Sequence, residues 1–210
     1  MTSSFSAPDR AIWNRLFADV PPEWRTAPPS LAMNDCRESL LSGGAESVLD
    51  IGCGVGRWAI HLAKAGLEVS GSDFAENGLA YAAAWARDEG VHLRLTCCPI
   101  TELPFPGEQF DAVIAALVLD NVSRSEMKTA IGHMRASLRE EGMAFCLFNP
   151  VGTRDERTEG GESTNPTSGV THVVYDDDEL RAAFAGFTIL DFRRYEMGTR
   201  GLFLQRDDEA

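Results

Sequence analysis

The chain has 210 residues, 44% of them hydrophobic, which is enough for one domain with a sizeable core. Its formal net charge is −13. An acidic surface of that kind repels a phosphate backbone and anionic lipid headgroups, so a small-molecule partner is expected, with no nucleic acid and no membrane.

The opening residues, MTSSFSAPDR, show no basic region followed by an apolar run, and so no secretory signal. Residues 1–46 carry Trp13, Phe17 and Trp24 among prolines and read as an N-terminal helical cap, because disordered tails seldom hold such aromatics. The five cysteines form no Cys-x-x-Cys pair, and the adjacent Cys97 and Cys98 suit neither a disulfide nor zinc. Reduced thiols in a cytoplasmic protein without a metal are expected.

From Ser47 the pattern is regular. Ser47–Asp50 reads as a short buried strand followed by a glycine-rich turn, then a helix over Arg57–Ala65 stopped by Gly66. Glu68–Asp73 is a second strand, Ala75–Asp88 an alanine-rich helix and His92–Cys97 a third strand. Phe110–Ala116 is apolar on both faces apart from Asp111, as a central parallel strand would be. A helix over Ser125–Leu138 and a strand over Met143–Phe148 follow.

Asn149–Thr171, rich in Gly, Thr, Ser and Glu, reads as a lid or flexible loop. Asp176–Ala185 is a helix with an acidic N-cap, and Thr188–Tyr195 and Gly201–Arg206 form an antiparallel hairpin. Alternating strands and helices imply an α/β fold with a mostly parallel sheet covered on both faces, spanning 47–210.

The chemistry concentrates in Val48-Leu49-Asp50-Ile51-Gly52-Cys53-Gly54-Val55-Gly56. Glycines let a strand turn sharply into a helix and let a ligand lie against bare backbone, at the helix N-terminus. A dinucleotide fingerprint, G-x-G-x-x-G, would need glycine where Arg57 stands, and the spacing here is G-x-G-x-G instead. Asp50 precedes the glycines at the end of a buried strand. A carboxylate there needs a cation or several donors, and the glycine N–H groups are candidate donors. A cationic amino group fits this place better than a pyrophosphate. Asp73 ends the next strand, at the distance from the first glycine where an acid accepts both ribose hydroxyls; it could also cap the following helix.

Asp50–Gly56, Asp73, Leu103-Pro104-Phe105 and Phe110-Asp111-Ala112-Val113-Ile114 together resemble the class I S-adenosylmethionine (SAM)-dependent methyltransferase family, over about residues 45–150. The tail residues Thr171-His172-Val173-Val174-Tyr175, Asp178-Glu179-Leu180 and Ala185-Gly186-Phe187 are loosely similar to its small-molecule members, including the tellurite-resistance and thiol methyltransferases. The resemblance implies a Rossmann-like sheet of seven strands with the last antiparallel, SAM as cofactor, and methyl transfer to a small acceptor by direct in-line displacement. A SAM-binding regulatory or assembly protein is the alternative.

The implied cofactor residues are Asp50, Gly52, Cys53, Gly54, Gly56, Asp73, Phe74, Pro99, Ile100 and Ala116. Pro99 departs from the family, which often has an Asp there facing the adenine amino group; Ile100 is left to pack on adenine and offer its backbone N–H. His172 and Tyr175, after the long loop, are the candidate bases. Asp120 and Asn121, after the fourth strand, lie where ligands bind in open α/β sheets or cap a loop. His61 and His133 read as ordinary helix residues. Trp13, Phe17 and Trp24 are placed to roof an acceptor or to pack in the core.

Overall fold

The computed structural model describes residues 7–105, 110–150, 162–164 and 168–207. Three helices come first: α1 (Ala7–Leu16), α2 (Glu23–Thr26) and α3 (Leu31–Ser42). Then follow β1 (Ser47–Ile51), α4 (Arg57–Ala63), β2 (Glu68–Asp73), α5 (Glu76–Asp88), β3 (Leu93–Cys97) and β4 (Phe110–Ala116). A 3-10 turn, Leu119–Asn121, leads to α6 (Arg124–Ser137) and β5 (Leu138–Phe148), and a second, Glu196–Gly198, lies between the last two strands. The chain ends with β6 (Glu162–Thr164), β7 (Thr171–Val173), α7 (Asp177–Ala183), β8 (Phe187–Arg194) and β9 (Arg200–Arg206).

Seven strands form one sheet in the order β3-β2-β1-β4-β5-β9-β8. β9 runs antiparallel to both neighbours, and the other six are parallel to one another. Strand periodicity puts alternate residues on opposite faces. Leu49, Ile51, Val113, Ala115, Cys146 and Phe148 pack under α6 and α7 with Met127, Met134 and Leu180. Val48, Ala112, Ile114, Phe145 and Leu147 pack under α3 and α4 with Cys36, Leu40 and Leu62. The polar residue of β4 fastens a neighbouring strand: Asp111 Oδ2 accepts from the amides of Glu46 (2.7 Å) and Ser47 (2.9 Å), pinning the entry of β1.

The structure revises several boundaries. β5 begins at Leu138, five residues before the expected start, because Leu138 pairs with Phe110 ahead of a register shift. The chain crosses that irregularity with Glu141 at φ 57° and is in register again from Met143. The polar run Arg139-Glu140-Glu141 hides this in the sequence. The expected loop Asn149–Thr171 is not wholly irregular: β6 and β7 pair antiparallel, Ser163 opposite His172. The rest of that expectation, at 151–161 and 165–167, lies outside the described residues. Both α6 and α7 start with reciprocal caps, Ser123 with Glu126 and Asp176 with Glu179, which satisfy their first amides.

Candidate active site

A cavity of about 760 Å³ opens beyond the carboxyl ends of β1, β2, β4 and β5, the place where open parallel sheets bind ligands. Its floor is the turn after β1. Gly52 stands at φ 67°, and a Cβ there would lie 2.3 Å from Val118 Cγ2, so only glycine fits. Gly56 stands at φ 83° as the N-cap of α4, and a Cβ would lie 2.8 Å from Ala82 Cβ; its role is to seat α4 against α5.

Three of the turn's amides are spent within the protein. Cys53 N–H donates to Ser72 O (2.9 Å) and Gly56 N–H to Cys53 O (2.9 Å). Gly54 N–H donates to Asp73 Oδ2 (2.8 Å), and Ala75 N–H donates to Asp73 Oδ1 (2.8 Å). The expectation that the glycine amides serve Asp50 is therefore corrected. Asp50 is 1% exposed, and its Oδ2 has no hydrogen-bond partner. Burial, reinforced by nearby Asp73, pushes the Asp50 carboxyl well above the usual range, and the Ala59 amide offsets only part of this. Burial also lifts Asp73 to about 6, against the lowering effect of the Ala75 and Gly54 amides. The Cys53 thiol is driven well up by burial, then by Asp50 and Asp73, so it stays protonated.

Of the residues singled out in the sequence, the cavity brings together Asp50, Gly52, Cys53, Gly54, Asp73, Phe74, Ile100, Ala116, Asn121 and His172. Trp13, Phe17 and Trp24 line it from the N-terminal helices. Gly56, Pro99 and Tyr175 are not among the residues that line it. The Tyr175 hydroxyl is buried without a partner, its ring lies 4.6 Å from the Arg124 guanidinium, and burial raises it to about 12. His61 borders a separate, smaller cavity beside α4. Asp120 lies beneath the wall, where its Oδ2 accepts from Asn149 N (2.9 Å) and Nδ2 (2.8 Å).

Sequence reasoning does not single out four residues for the roles they hold here. Trp58 and Met33 complete the aromatic and apolar wall. Arg57, read as a missing glycine at the start of a helix, holds α2 and the segment after it by donating to the carbonyls of Trp24, Ala27 (3.4 Å) and Pro28 (2.9 Å). Asn149 lines the cavity at the end of β5, within 3.5 Å of His172 Nδ1. Position at the carboxyl end of a central strand, the argument that finds Asp50 and Asp73, could have found Asn149 as well.

Comparison with known proteins agrees with this geometry. Residues 48–142 match a family described as a methyltransferase domain. The demethylmenaquinone methyltransferase of Bacillus subtilis is 35% identical over 103 residues, covering 47% of this chain and 43% of that one. The ubiquinone biosynthesis O-methyltransferase of Ruegeria pomeroyi is 32% identical over 102 residues, covering 47% and 39%. The matches thus span less than half the length of these curated relatives. In fold, the chain is similar to the 1,6-didemethyltoxoflavin-N1-methyltransferase of Burkholderia thailandensis, solved with 1,6-didemethyltoxoflavin and S-adenosylhomocysteine. The TM-score is 0.74 at 23% identity, covering 99% of this chain and 94% of that one.

Proposed function

Because the chain belongs to the class I SAM-dependent methyltransferase family, we propose that it moves a methyl group from SAM to a small-molecule acceptor by direct in-line displacement. The observation that carries this reading is the unpartnered Oδ2 of Asp50. A buried carboxylate oxygen without a donor is costly, and the cationic α-amino group of SAM is the partner it lacks. Asp73 keeps lone pairs on both oxygens after accepting from Gly54 and Ala75, so it can also receive the ribose hydroxyls. Ile100, 3% exposed, offers an apolar face for adenine, with Phe74, Cys53 and Ala116 around it.

SAM supplies a methyl group already activated by its sulfonium charge. The protein's own work is alignment and exclusion of water, effects that together can be worth about 7–11 kcal/mol. The N-terminal helices act as the cap over the acceptor. Trp13 and Phe17 from α1 and its end, Trp24 from α2 and Trp58 from α4 give the space beyond the cofactor end an aromatic lining suited to a flat, mostly apolar molecule. His172, Asn121 and Asn149 supply the polar edge. Tyr175, off the wall, takes no part in this reading. Five free cysteines accord with a reducing setting such as the cytoplasm.

The test has two steps. Calorimetry with S-adenosylhomocysteine is expected to give micromolar binding, roughly −8 kcal/mol, with no comparable binding of NAD. Labelled methyl from SAM is then offered with a panel of small thiols, phenols, ring-nitrogen heterocycles and carboxylates. NAD binding without S-adenosylhomocysteine binding would overturn the proposal.

A further inference from the structure

We propose that His172 meets the methyl acceptor as a hydrogen-bond donor through Nε2–H, with Asn149 as the positioning residue that fixes this tautomer. The proposal rests on the methyl-transfer reading above and refines it, because it removes His172 as the base of the reaction.

The geometry starts at Asp120, buried below the end of β4. Its Oδ2 accepts the Asn149 backbone N–H at 2.9 Å. A backbone amide has only one orientation, so that oxygen is an acceptor. The same oxygen lies 2.8 Å from the terminal group of the Asn149 side chain; burial raises the Asp120 carboxyl, and in its ionised form it can only accept, so that group is the NH₂ end. Asn149 is also held from behind. Arg200, 2% exposed, donates to its carbonyl from Nη2 (2.7 Å) and Nε (3.3 Å), and from Nη1 to the carbonyl of Tyr175 (2.7 Å). The carboxamide is thus oriented by a buried carboxylate and an anchored backbone.

That NH₂ group stands 3.5 Å from His172 Nδ1. An amide nitrogen offers hydrogens and no usable lone pair. A proton on Nδ1 would set N–H against N–H, whereas a bare Nδ1 accepts the second amide hydrogen. The neutral imidazole therefore carries its proton on Nε2. Pairing of β7 with β6, Ser163 opposite His172, fixes the backbone that carries the ring.

An imidazole protonated at Nε2 gives a hydrogen bond and takes no proton. The remaining carboxylates on the described cavity wall are Asp50 and Asp73, at the cofactor end, and Glu23, exposed at the rim. The site therefore suits an acceptor whose nucleophilic atom arrives without a proton, such as a thiolate, an acidic phenolate or a ring nitrogen, with a carbonyl or ring nitrogen alongside to accept from Nε2–H. On transfer, a lone pair of that atom forms the new bond to the methyl carbon as the carbon–sulfur bond breaks onto sulfur, and no proton has to leave.

Nitrogen-15 NMR of the full chain without ligand, at pH 7.5, tests this directly. His172→Gln assigns the ring signals. The wild-type ring is expected to show an unprotonated Nδ1 and a protonated Nε2. In Asn149→Asp the new carboxyl shares a proton with Asp120 on the side where the amide stood, and its other oxygen accepts from Nδ1–H, so the tautomer is expected to reverse. A wild-type ring protonated at Nδ1, or at both nitrogens, would overturn the proposal, and this measurement stands whether or not the variant folds. An unchanged tautomer in a folded Asn149→Asp would overturn the role given to Asn149. Titration of the same wild-type sample with S-adenosylhomocysteine keeps the two readings apart. Binding with an Nδ1–H ring rejects this inference alone, and no binding with an Nε2–H ring rejects methyl transfer alone.

Discussion

The amide of Gly54 donates to Asp73 Oδ2 at 2.8 Å, so the glycine turn after β1 is tied to the end of β2 by the same side chain proposed to hold the cofactor's ribose. One carboxylate organises the turn and, in the proposed site, also binds the ligand. Asp73→Ala is therefore expected to act on both. Losing the acceptor for the Gly54 and Ala75 amides costs stability of about 1–3 kcal/mol, the penalty for buried donors left unpaired. Affinity for S-adenosylhomocysteine is expected to fall by about 1.5–3 kcal/mol, the range for hydrogen bonds to a charged group. Urea unfolding and calorimetry on the same preparation measure the two effects. Unchanged affinity in a destabilised variant would leave Asp73 as a structural tie only.

The carboxyl groups also set a pH dependence. Burial raises Asp73 to about 6 and Asp50 well above its usual value. Raised folded-state values mean that the folded protein holds these protons more tightly than the unfolded chain. Their contribution to stability is full below about pH 4 and is lost as pH rises through about 6 for Asp73, with Asp50 acting in the same direction. In the proposed site the ribose hydroxyls favour ionised Asp73 and the cofactor amino group favours ionised Asp50, so binding runs the opposite way. S-adenosylhomocysteine affinity is expected to weaken as pH falls below about 6, by up to about tenfold per pH unit for one competing proton. Asp50→Asn is expected to flatten the stability profile, raise the melting temperature of the free protein at neutral pH and weaken S-adenosylhomocysteine binding. A variant that binds as tightly as wild type would remove Asp50 from the cofactor site.

Much of this site is legible in the sequence, because buried strands announce their ends. Asp50 and Asp73 each close an apolar run, and the ligand crevice of a parallel sheet lies at such ends. The pattern for β8 and β9 is equally plain. The place of Asn149 at a strand end is legible, but its bonds are not: Asp120, 29 residues away, meets it only when β4 and β5 pair, and Arg200, 51 residues away, only when β5 and β9 pair. His172 and Tyr175 look equivalent in sequence. They stand three residues apart in extended chain, which turns them to opposite sides: His172 to the cavity, Tyr175 into the core beside Phe148.

Arg200 supplies a prediction that does not depend on any ligand. It is a buried cation bonded to the carbonyls of Asn149 and Tyr175 and paired with Asp177 at 3.3 Å. Arg200→Met removes the fork and strands two carbonyls. The expected loss in denaturant unfolding is about 1–3 kcal/mol for each carbonyl left unpaired; Asp177, partly exposed and also paired with Arg194, adds little. Arg200→Lys is expected to recover only part, because an ammonium cannot reproduce the planar fork. Full recovery with Lys would show that charge alone matters there.

The last prediction concerns what the cysteines do not do. Direct displacement needs no covalent intermediate on the enzyme, and a nucleophilic thiol would have to be a thiolate with a base nearby. Cys53 touches the cavity, yet burial and the two carboxylates keep its thiol protonated. Its neighbours argue for packing: a Cβ built on Gly71 would lie 2.9 Å from Cys53 Sγ, so the sulfur fills the space that glycine leaves. Cys146, fully buried in β5, is likewise held protonated by burial alone. Cys53→Ala and Cys146→Ala are each expected to bind S-adenosylhomocysteine within a few-fold of wild type and to retain most methyl transfer to any acceptor the panel identifies. Their cost falls on stability instead, about 1–2 kcal/mol each for the small buried volume removed. A variant that binds the cofactor normally but transfers no methyl group, together with a methylated wild-type enzyme caught by mass spectrometry, would replace direct displacement with a two-step route through that sulfur.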